Sequence, residues 1–425
     1  MDAWLDNNGE EQHPNGPLPA FDGAFLQDPN HAYRKLREAG PLLWRDDVFQ
    51  GAWVLTRYAD VEQALSDPRL SSRRTGGWIR RVPGFDAAFP GRGRRQGLDA
   101  FERLFGRAMV FVDSPDHQRL RQVMAAGFHP SLVRSLAPQV EQLAEELLAP
   151  FADRAQFDFI EAFARPFPSR VIALLLGIDR CDEARFMAWS DDLAAFIGAL
   201  QPTVDQLRAA RRSLLQLVRY FEEVVARRRY RPGTGLVGRL VEAEAAGGIC
   251  PDGELLAQCA MLLFAGHETT RNLLGNGLYA LLSHPDQWAA LRACPDRMHG
   301  AVREVLRYES PVQYTGRRVA TGFIWHGKTL RRGELVIAVM GAANRDPRRF
   351  SDPDVFDINR CGGSHLSFGR GAHVCIGAGL SLLEADVALR ALMRRWPNLE
   401  LVTRDVRWNE NAGLRGLKQL MVGAC

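Results

Sequence analysis

The 425-residue sequence lacks several features that mark large classes of protein. Its longest apolar run, residues 171–178, is far shorter than a membrane-spanning helix, so no membrane anchor is expected. The formal net charge of +4 is too weak to indicate a nucleic-acid partner. The N-terminal residues contain neither the basic nor the apolar region of a secretory signal, and we therefore expect a cytoplasmic protein.

Cysteine is also sparse and irregularly placed. The 7 cysteines form no C-x-x-C pair and no regular framework, so neither a zinc site nor a disulfide scaffold is expected. No internal repeat, low-complexity block or linker of distinct composition divides the chain. We therefore predict a loose N-terminal tail over residues 1–20, which are rich in Asn, Gly and Pro, and a single domain over residues 21–425.

Helical periodicity is the dominant pattern in the sequence. Apolar residues recur at helical steps through most of residues 116–282, and a helix starting near Thr203 has a clear amphipathic stripe. Strand patterns occur towards the two ends, as a hairpin at 41–44 and 52–56 and as single strands at 317–320, 335–339 and 399–402. The sequence therefore predicts a mainly α fold with a small β portion.

The strongest chemical signal is the segment 368–377, Phe-Gly-Arg-Gly-Ala-His-Val-Cys-Ile-Gly. It places Cys375 in a glycine-rich loop directly before an apolar helical run. Backbone N–H groups at a helix N-terminus stabilise negative charge, so a thiolate suited to metal ligation is expected there. A lone cysteine is more often a small buried apolar residue, but the surrounding pattern favours a ligand.

This segment resembles the heme-binding loop of the cytochrome P450 family. The resemblance covers essentially the full chain and implies the P450 fold, with heme between a long central helix and the helix that follows the cysteine. It implies that Cys375 is the axial thiolate ligand of the iron of heme b. The loop residues that would contact the heme are Phe368, Gly369, His373 and Gly377.

A second motif lies within the predicted long helix, at residues 262–270. Glycine and threonine in a helix interior, and a buried acid, are costly and so suggest a function, although they also ease close packing. Ala265 and Gly266 would leave room for a ligand, while Glu268 and Thr269 could relay protons. The segment also resembles the oxygen-binding motif of the same family.

A heme carries two propionates, which require cations from separate segments. His117 and Arg121 are spaced four apart and share a helix face. In the family that this chain resembles, the equivalents of His117, Arg121, Arg317 and His373 hold the propionates. Each of the four, taken alone, could be an ordinary surface cation.

Glu304 and Arg307 are spaced three apart and can form a charge-assisted pair, although Glu-x-x-Arg alone carries little weight. The resemblance implies that they form a structural group with Arg360, which we assign to folding. The substrate pocket is predicted to be lined by Leu263, Phe264, Gly266, Val312 and Tyr314, with residues 411–414. Most of these are apolar, as is usual in buried small-molecule sites.

Residues 73–95 contain seven arginines (73, 74, 80, 81, 92, 94 and 95) and a single acid, Asp86. A solvated basic loop is the usual explanation of such a run. The alternative is a contact with an acidic group on the substrate or on a carrier that bears it.

The resemblance implies a heme-thiolate monooxygenase that uses O2. No flavin or iron-sulfur segment is present, so NAD(P)H-derived electrons should arrive through a separate ferredoxin and ferredoxin reductase, with Arg370 near the docking face. The expected substrate is a largely apolar small molecule of specialised metabolism, such as a terpenoid, steroid or antibiotic, which is hydroxylated or further oxidised. A peroxide-using or non-oxygenating heme-thiolate enzyme and a heme-binding carrier or sensor are the alternatives. The intact Glu268–Thr269 pair favours O2 activation over both.

Overall fold

The computed structural model describes residues 18–75, 79, 82–89, 98, 101–179, 183–231, 233–251 and 253–424. Its labelled helices are α1 Gly23–Gln27, α2 Pro29–Ala39, α3 Tyr58–Ser66, α4 Phe85–Ala88, α5 Asp116–Ala125, α6 Pro130–Ser135, α7 Ala137–Leu148, α8 Pro166–Leu176, α9 Glu183–Ile197, α10 Val204–Tyr230, α11 Leu236–Ala245, α12 Glu254–Ser283, α13 Pro285–Ala293, α14 Met298–Tyr308, α15 Met340–Ala343 and α16 Ala378–Arg395. The side chain of Thr203 caps α10, as the sequence predicts.

Within the described residues, the strands form three small sheets. They are β1 Leu43–Arg45, β2 Ala52–Leu55, β3 Leu70–Ser71, β4 Gln156–Asp158, β5 Thr315–Val319, β6 Phe323–Trp325, β7 Lys328–Leu330, β8 Leu335–Ala338, β9 Leu399–Leu401 and β10 Met421–Ala424. The largest sheet has the order β1-β2-β8-β5-β3, in which only β2 and β8 run parallel. The other sheets are β4-β10-β9 and the hairpin β6-β7. The predicted mainly α fold with a small β portion is confirmed.

Helix α12 is the centre of the helical part. It is apolar on most of its faces, which is typical of a helix surrounded by protein, and it packs against α8, α9, α10, α14 and α16. Helix α16, which follows the cysteine loop, also packs against α14. The helix that follows the cysteine loop therefore packs against the helix that carries the motif at residues 262–270.

Two further sequence predictions concern the N-terminal tail and membrane-spanning helices. The predicted tail over residues 1–20 lies mostly outside the described residues, which begin at residue 18. Across the described ranges, no helix combines the length and apolar character needed to cross a membrane.

Candidate active site

Backbone hydrogen bonds shape the loop that carries the cysteine. The backbone N–H of Cys375 donates to the carbonyl of Phe368 at 2.8 Å, and that of Gly369 donates to the carbonyl of Leu366 at 2.8 Å. Gly371 has a φ of 72° and lies against α3, where a Cβ atom would come within 3.0 Å of a side-chain oxygen. A side chain at this position would be strained and would push the loop away from α3.

Cys375 lies just before α16, which begins at Ala378. Burial raises the pKa of its thiol and outweighs the backbone N–H groups of Gly377 and Ala378 and the guanidinium of Arg121, which lower it. The helix terminus therefore favours the thiolate, as expected, but burial opposes it more strongly. Cys375 lies deep in the protein and yet keeps accessible surface, so it borders an interior space. A metal cation there would supply the stabilisation that the thiolate still needs.

Two histidines and two arginines converge beside this cysteine. The ring centroids of His117 and His373 are 3.9 Å apart. Burial lowers the pKa of His117, and Arg121 lowers it further. Burial, followed by the neighbouring His117 and Arg317, lowers the pKa of His373 to about 3. We call the group the cysteine-side cluster, and its members are His117, Arg121, Arg317, His373 and Cys375.

The cysteine-side cluster fits a heme group. His117 is only 2% exposed, and its Nε2 atom has no hydrogen-bond partner among the described residues. Such orphaned buried polar atoms are uncommon in folded proteins and call for a partner. Burial also lowers the pKa of Arg317 to about 10, and the carboxylate of Asp113 only partly opposes this. Two propionates would supply the acceptors and the negative charge, while Cys375 would supply sulfur to the iron.

A cavity of about 410 Å³ lies between α12, β5, β8 and the connection from α9 to α10. Phe264, Val312, Tyr314 and Leu414 line it. Asn411, by contrast, turns away and donates from Nδ2 to a carbonyl of α9 at 2.7 Å. The mainly apolar lining suits a small apolar molecule.

The two faces of α12 differ around its central motif. Ala265 and Thr269 line the cavity, and the Thr269 hydroxyl donates to the Ala265 carbonyl at 2.8 Å. Gly266 faces α8 instead, where a Cβ atom would come within 2.9 Å of Ile172, and Leu263 is buried in the core. The prediction that Leu263 lines the pocket is therefore wrong. Gly266 is also absent from the lining of this cavity, but it keeps some accessible surface, and its contact with the cofactor stays a prediction.

Glu268 is buried behind the cavity wall. Its carboxylate accepts from Arg271 Nη1 at 3.3 Å and from Asn272 Nδ2 at 3.2 Å, and Arg271 in turn lies 3.5 Å from Asp191. Burial raises the pKa of Glu268, although Arg271 opposes the shift. Asp191 is about one-third exposed, so the charged groups form a path from Glu268 to the surface. The sequence reasoning missed Asp191 because it lies on α9, which is distant in the chain.

The predicted structural group is assembled in the buried interior. Arg307 donates from Nε and Nη2 to the two carboxylate oxygens of Glu304, both at 2.7 Å, and Arg360 donates from Nε to the same carboxylate at 3.2 Å. The side chains of Glu304 and Arg307 are each 3% exposed. The pair is therefore largely shielded from water, unlike an ordinary surface ion pair.

Asn344 links this group to the cysteine loop, and the sequence reasoning missed it. The Asn344 carbonyl accepts from Arg307 Nη1 at 3.1 Å. Its side chain accepts from the backbone N–H of Leu366 at 2.7 Å and donates to the Ser367 hydroxyl at 2.8 Å. Because Ser367 directly precedes Phe368, the ion pair is coupled to the start of the cysteine loop. An isolated asparagine between two predicted elements carries no sequence signal of this role.

Two consecutive arginines of the arginine-rich segment, Arg73 and Arg74, lie in different environments. Arg73 is exposed and pairs with Asp116 at 3.0 Å, which matches the solvated loop expected of such a run. Arg74 lines the cavity instead. The arginines at 80, 81, 92, 94 and 95 lie outside the described residues.

Comparisons with known proteins agree with this geometry. The protein-family model described as "Cytochrome P450" matches residues 79–413. The chain is 39% identical to Cytochrome P450 107B1 of Saccharopolyspora erythraea, covering 95% of this chain and 97% of that protein. It is 36% identical to 6-deoxyerythronolide B hydroxylase of the same organism, covering 94% and 96% respectively.

Solved structures give the same result. A structure of P450BioI in complex with acyl carrier protein ligated to hexadec-9Z-enoic acid matches with a TM-score of 0.86 and 33% identity, covering 95% of this chain and 100% of that one. The matching family model, the near full-length relatives and the shared fold establish the class of the protein. The chain belongs to the cytochrome P450 family of heme-iron monooxygenases.

Proposed function

We propose that the chain binds heme b with Cys375 as the axial ligand of the iron and with His117, Arg121, Arg317 and His373 around the propionates. The observation that carries this proposal is the cysteine-side cluster, in which a cysteine bordering an interior space lies among four cationic or titratable side chains, one of them with an unsatisfied buried nitrogen. When bound, the heme iron supplies the activation of dioxygen and the oxidation of the substrate.

The other proposed heme contacts belong to the loop and to α12. They are Phe368, Gly369 and Gly377 on the cysteine side and Ala265 on the cavity side. A Cβ atom on Gly377 would lie 3.9 Å from Cys375 Sγ, so a larger residue there would occupy space beside the sulfur. We further propose that residues 21–425 form one catalytic domain around this group.

Glu268 and Thr269 are proposed to deliver protons to the cavity. Thr269 lines the cavity, whereas Glu268 lies behind it. Because burial raises the pKa of Glu268, this carboxyl group is better able than an exposed glutamate to hold a proton. Arg271 and Asp191 continue the path towards solvent, where the carboxyl group can be reprotonated.

Electrons are proposed to come from NAD(P)H through a ferredoxin and its reductase. Arg370 lies in the cysteine loop, is about half exposed and has Glu62 at 3.4 Å as its neighbour. An exposed cation on this side of the protein would favour the approach of an acidic electron carrier.

The proposed substrate is a largely apolar small molecule of specialised metabolism, such as a terpenoid, a steroid or an antibiotic precursor. The mainly apolar 410 Å³ cavity supports this class, and relatives named as hydroxylases, among them 6-deoxyerythronolide B hydroxylase, support hydroxylation as the reaction.

Turnover with a defined panel of compounds tests this proposal. The panel contains dodecanoic, lithocholic and abietic acids and their methyl esters, which represent alkyl, steroid and terpenoid skeletons. The heme-loaded protein is incubated with the panel, NADPH, a surrogate ferredoxin and reductase, and isotopically labelled dioxygen. We expect one labelled oxygen atom in a product that forms only when the electron-transfer proteins are present.

Two outcomes would contradict the proposal. Product formation from hydrogen peroxide alone, with none from NADPH and dioxygen, would identify a peroxide-using enzyme. Tight heme binding without a labelled product from any compound, and without stimulated NADPH consumption, would favour a carrier or sensor.

A further inference from the structure

Arg74 places a cationic side chain in the lining of the cavity. The residue follows β3, where the chain turns from the sheet towards the arginine-rich segment, and its side chain lines the same cavity as Ala265 and Thr269. The members of the cysteine-side cluster do not line this cavity. Arg74 therefore lines the cavity, and its charge also acts on Arg317 and His373 of the neighbouring cysteine-side cluster.

The Arg74 guanidinium has no carboxylate partner and no hydrogen-bond acceptor within the described part of the chain. Its neighbours are the ring of Phe111, with Cζ 4.7 Å from the ring centroid, the cation of Arg317 and the neutral phenol of Tyr314. Its neighbour Arg73, by contrast, has a carboxylate partner, since it pairs with Asp116 at the surface. A partly buried guanidinium at a cavity wall, without a carboxylate partner among the described residues, is placed to bind an anionic group.

The surroundings hold Arg74 in this position. Its side chain lies across Gly316 of β5, where a Cβ atom would come within 3.0 Å of Arg74 Cδ. Its carbonyl accepts from Arg318 Nη2 at 3.5 Å, and its guanidinium packs over Phe111. The guanidinium is therefore positioned before a ligand arrives, which reduces the entropy lost on binding.

The charge of Arg74 persists at neutral pH. Burial, followed by the nearby Arg317, lowers the pKa of Arg74 to about 9. The group is thus protonated near pH 7, and no described carboxylate compensates it. The acid in the cavity lining, Asp46, is exposed and accepts a hydrogen bond from Trp44 Nε1 at 2.8 Å.

We propose that the substrate is an apolar molecule with a carboxylate group, and that the Arg74 guanidinium binds this carboxylate while the apolar part extends over Ala265 and Thr269. The inference rests on the proposed function and narrows its substrate class. A planar guanidinium matches a carboxylate through two parallel hydrogen bonds, and the largely apolar remainder of the cavity suits the rest of the molecule. A substrate held on a carrier protein by a thioester would lack the carboxylate that this site recognises.

Binding of acids and esters by isothermal calorimetry tests the proposal. The probes are dodecanoic, lithocholic and abietic acids, each compared with its own methyl ester, on heme-loaded protein. For at least one skeleton we expect the acid to bind about tenfold more tightly than its ester, which is the effect of one charge-assisted pair. In Arg74→Gln this preference should disappear, in Arg74→Lys part of it should remain, and in the matched control Arg73→Gln it should be unchanged.

The proposal is overturned if no acid binds more tightly than its ester, or if the preference survives in Arg74→Gln. It is also overturned if Arg74→Gln loses heme or the thiolate-type band of the reduced carbon-monoxide complex, because Arg74 would then serve the cofactor. If Arg74→Gln does not fold, the comparison of each acid with its ester on the native protein and on Arg74→Lys still decides the question. Failure of the proposed function is distinguishable, because it shows in the turnover measurement and the carbon-monoxide spectrum and not in the calorimetric ratio.

Discussion

The cysteine-side cluster draws its residues from a few short motifs, whereas the cavity is lined by small groups of residues from many segments of the chain. His117 and Arg121 share one helix, and His373 and Cys375 share one loop. The cavity, in contrast, is lined by Arg74, by Phe111 and by short runs such as 200–202 and 314–316, which are far apart in the chain. The difference has a physical cause, since a cofactor of constant shape can be held by a fixed pattern, while a substrate is recognised by whatever side chains meet at the cavity wall.

The largest expected effect concerns the framework under the cysteine loop. Arg307→Ala leaves Glu304 buried without its main partner, and we expect the free energy of unfolding to fall by about 3–5 kcal/mol. Arg394→Ala, which removes an exposed partner of Glu145, is the control and should cost less than about 1 kcal/mol. Chemical unfolding followed by circular dichroism measures both. Equal stability of the two variants would show that the cysteine side does not depend on this network.

The next effect tests Glu268, which is buried behind the cavity wall. Glu268→Gln removes the proposed proton source without changing the cavity wall, so the rate of product formation should fall about 10²-fold. The reduced carbon-monoxide spectrum should stay unchanged. Asp205→Asn, at an exposed acid of α10, is the control and should have the native rate. A native rate in Glu268→Gln would exclude this carboxyl group from proton delivery.

A smaller effect separates the two faces of α12. Gly266→Val places methyl groups against Ile172 of α8 and should lower the free energy of unfolding by about 1–3 kcal/mol through overpacking. Ala265→Val places the same side chain in the cavity, so it should weaken binding of the panel compounds with little loss of stability. Thermal unfolding and calorimetry distinguish the two. The assignment of the faces is wrong if the two valine variants behave alike.

The smallest effect is expected at the surface of the cysteine loop. Arg370→Glu reverses an exposed charge and should slow reduction by ferredoxin by up to about tenfold, an effect that weakens as salt is added. Binding of the panel compounds should not change. Arg208→Glu makes the same charge reversal on α10 and should leave the reduction rate unchanged. Equal slowing in both variants would point to net charge rather than to a docking site, and stopped-flow reduction measures the rates.

Helical and strand patterns in the sequence predicted the fold class. The resemblance to the cytochrome P450 family, carried by the loop from Phe368 to Gly377, implied which residues lie beside Cys375, and of these only His117 and Arg121 also share a predicted helix face. The spacing of apolar residues also predicted the helix α12. Its rotational orientation was not predicted, and for that reason Leu263 was assigned to the pocket although it is buried in the core, and Gly266 although a side chain there would meet Ile172 of α8.

Other features depend on contacts between distant segments. Asn344 and Asp191 act through partners on other elements, and neither has a local pattern that distinguishes it. Arg73 and Arg74 are chemically identical neighbours in the sequence. Only the direction of the backbone after β3 sends one to Asp116 at the surface and the other into the cavity.

The most direct test of the central claim is the reduced carbon-monoxide spectrum of heme-loaded protein. We predict the thiolate-type Soret band in the native protein and in Cys361→Ala, which alters an exposed cysteine outside the cluster, and its loss in folded Cys375→Ala. Survival of the band in Cys375→Ala, or its absence from the folded native protein, would contradict the assignment of Cys375 as the ligand.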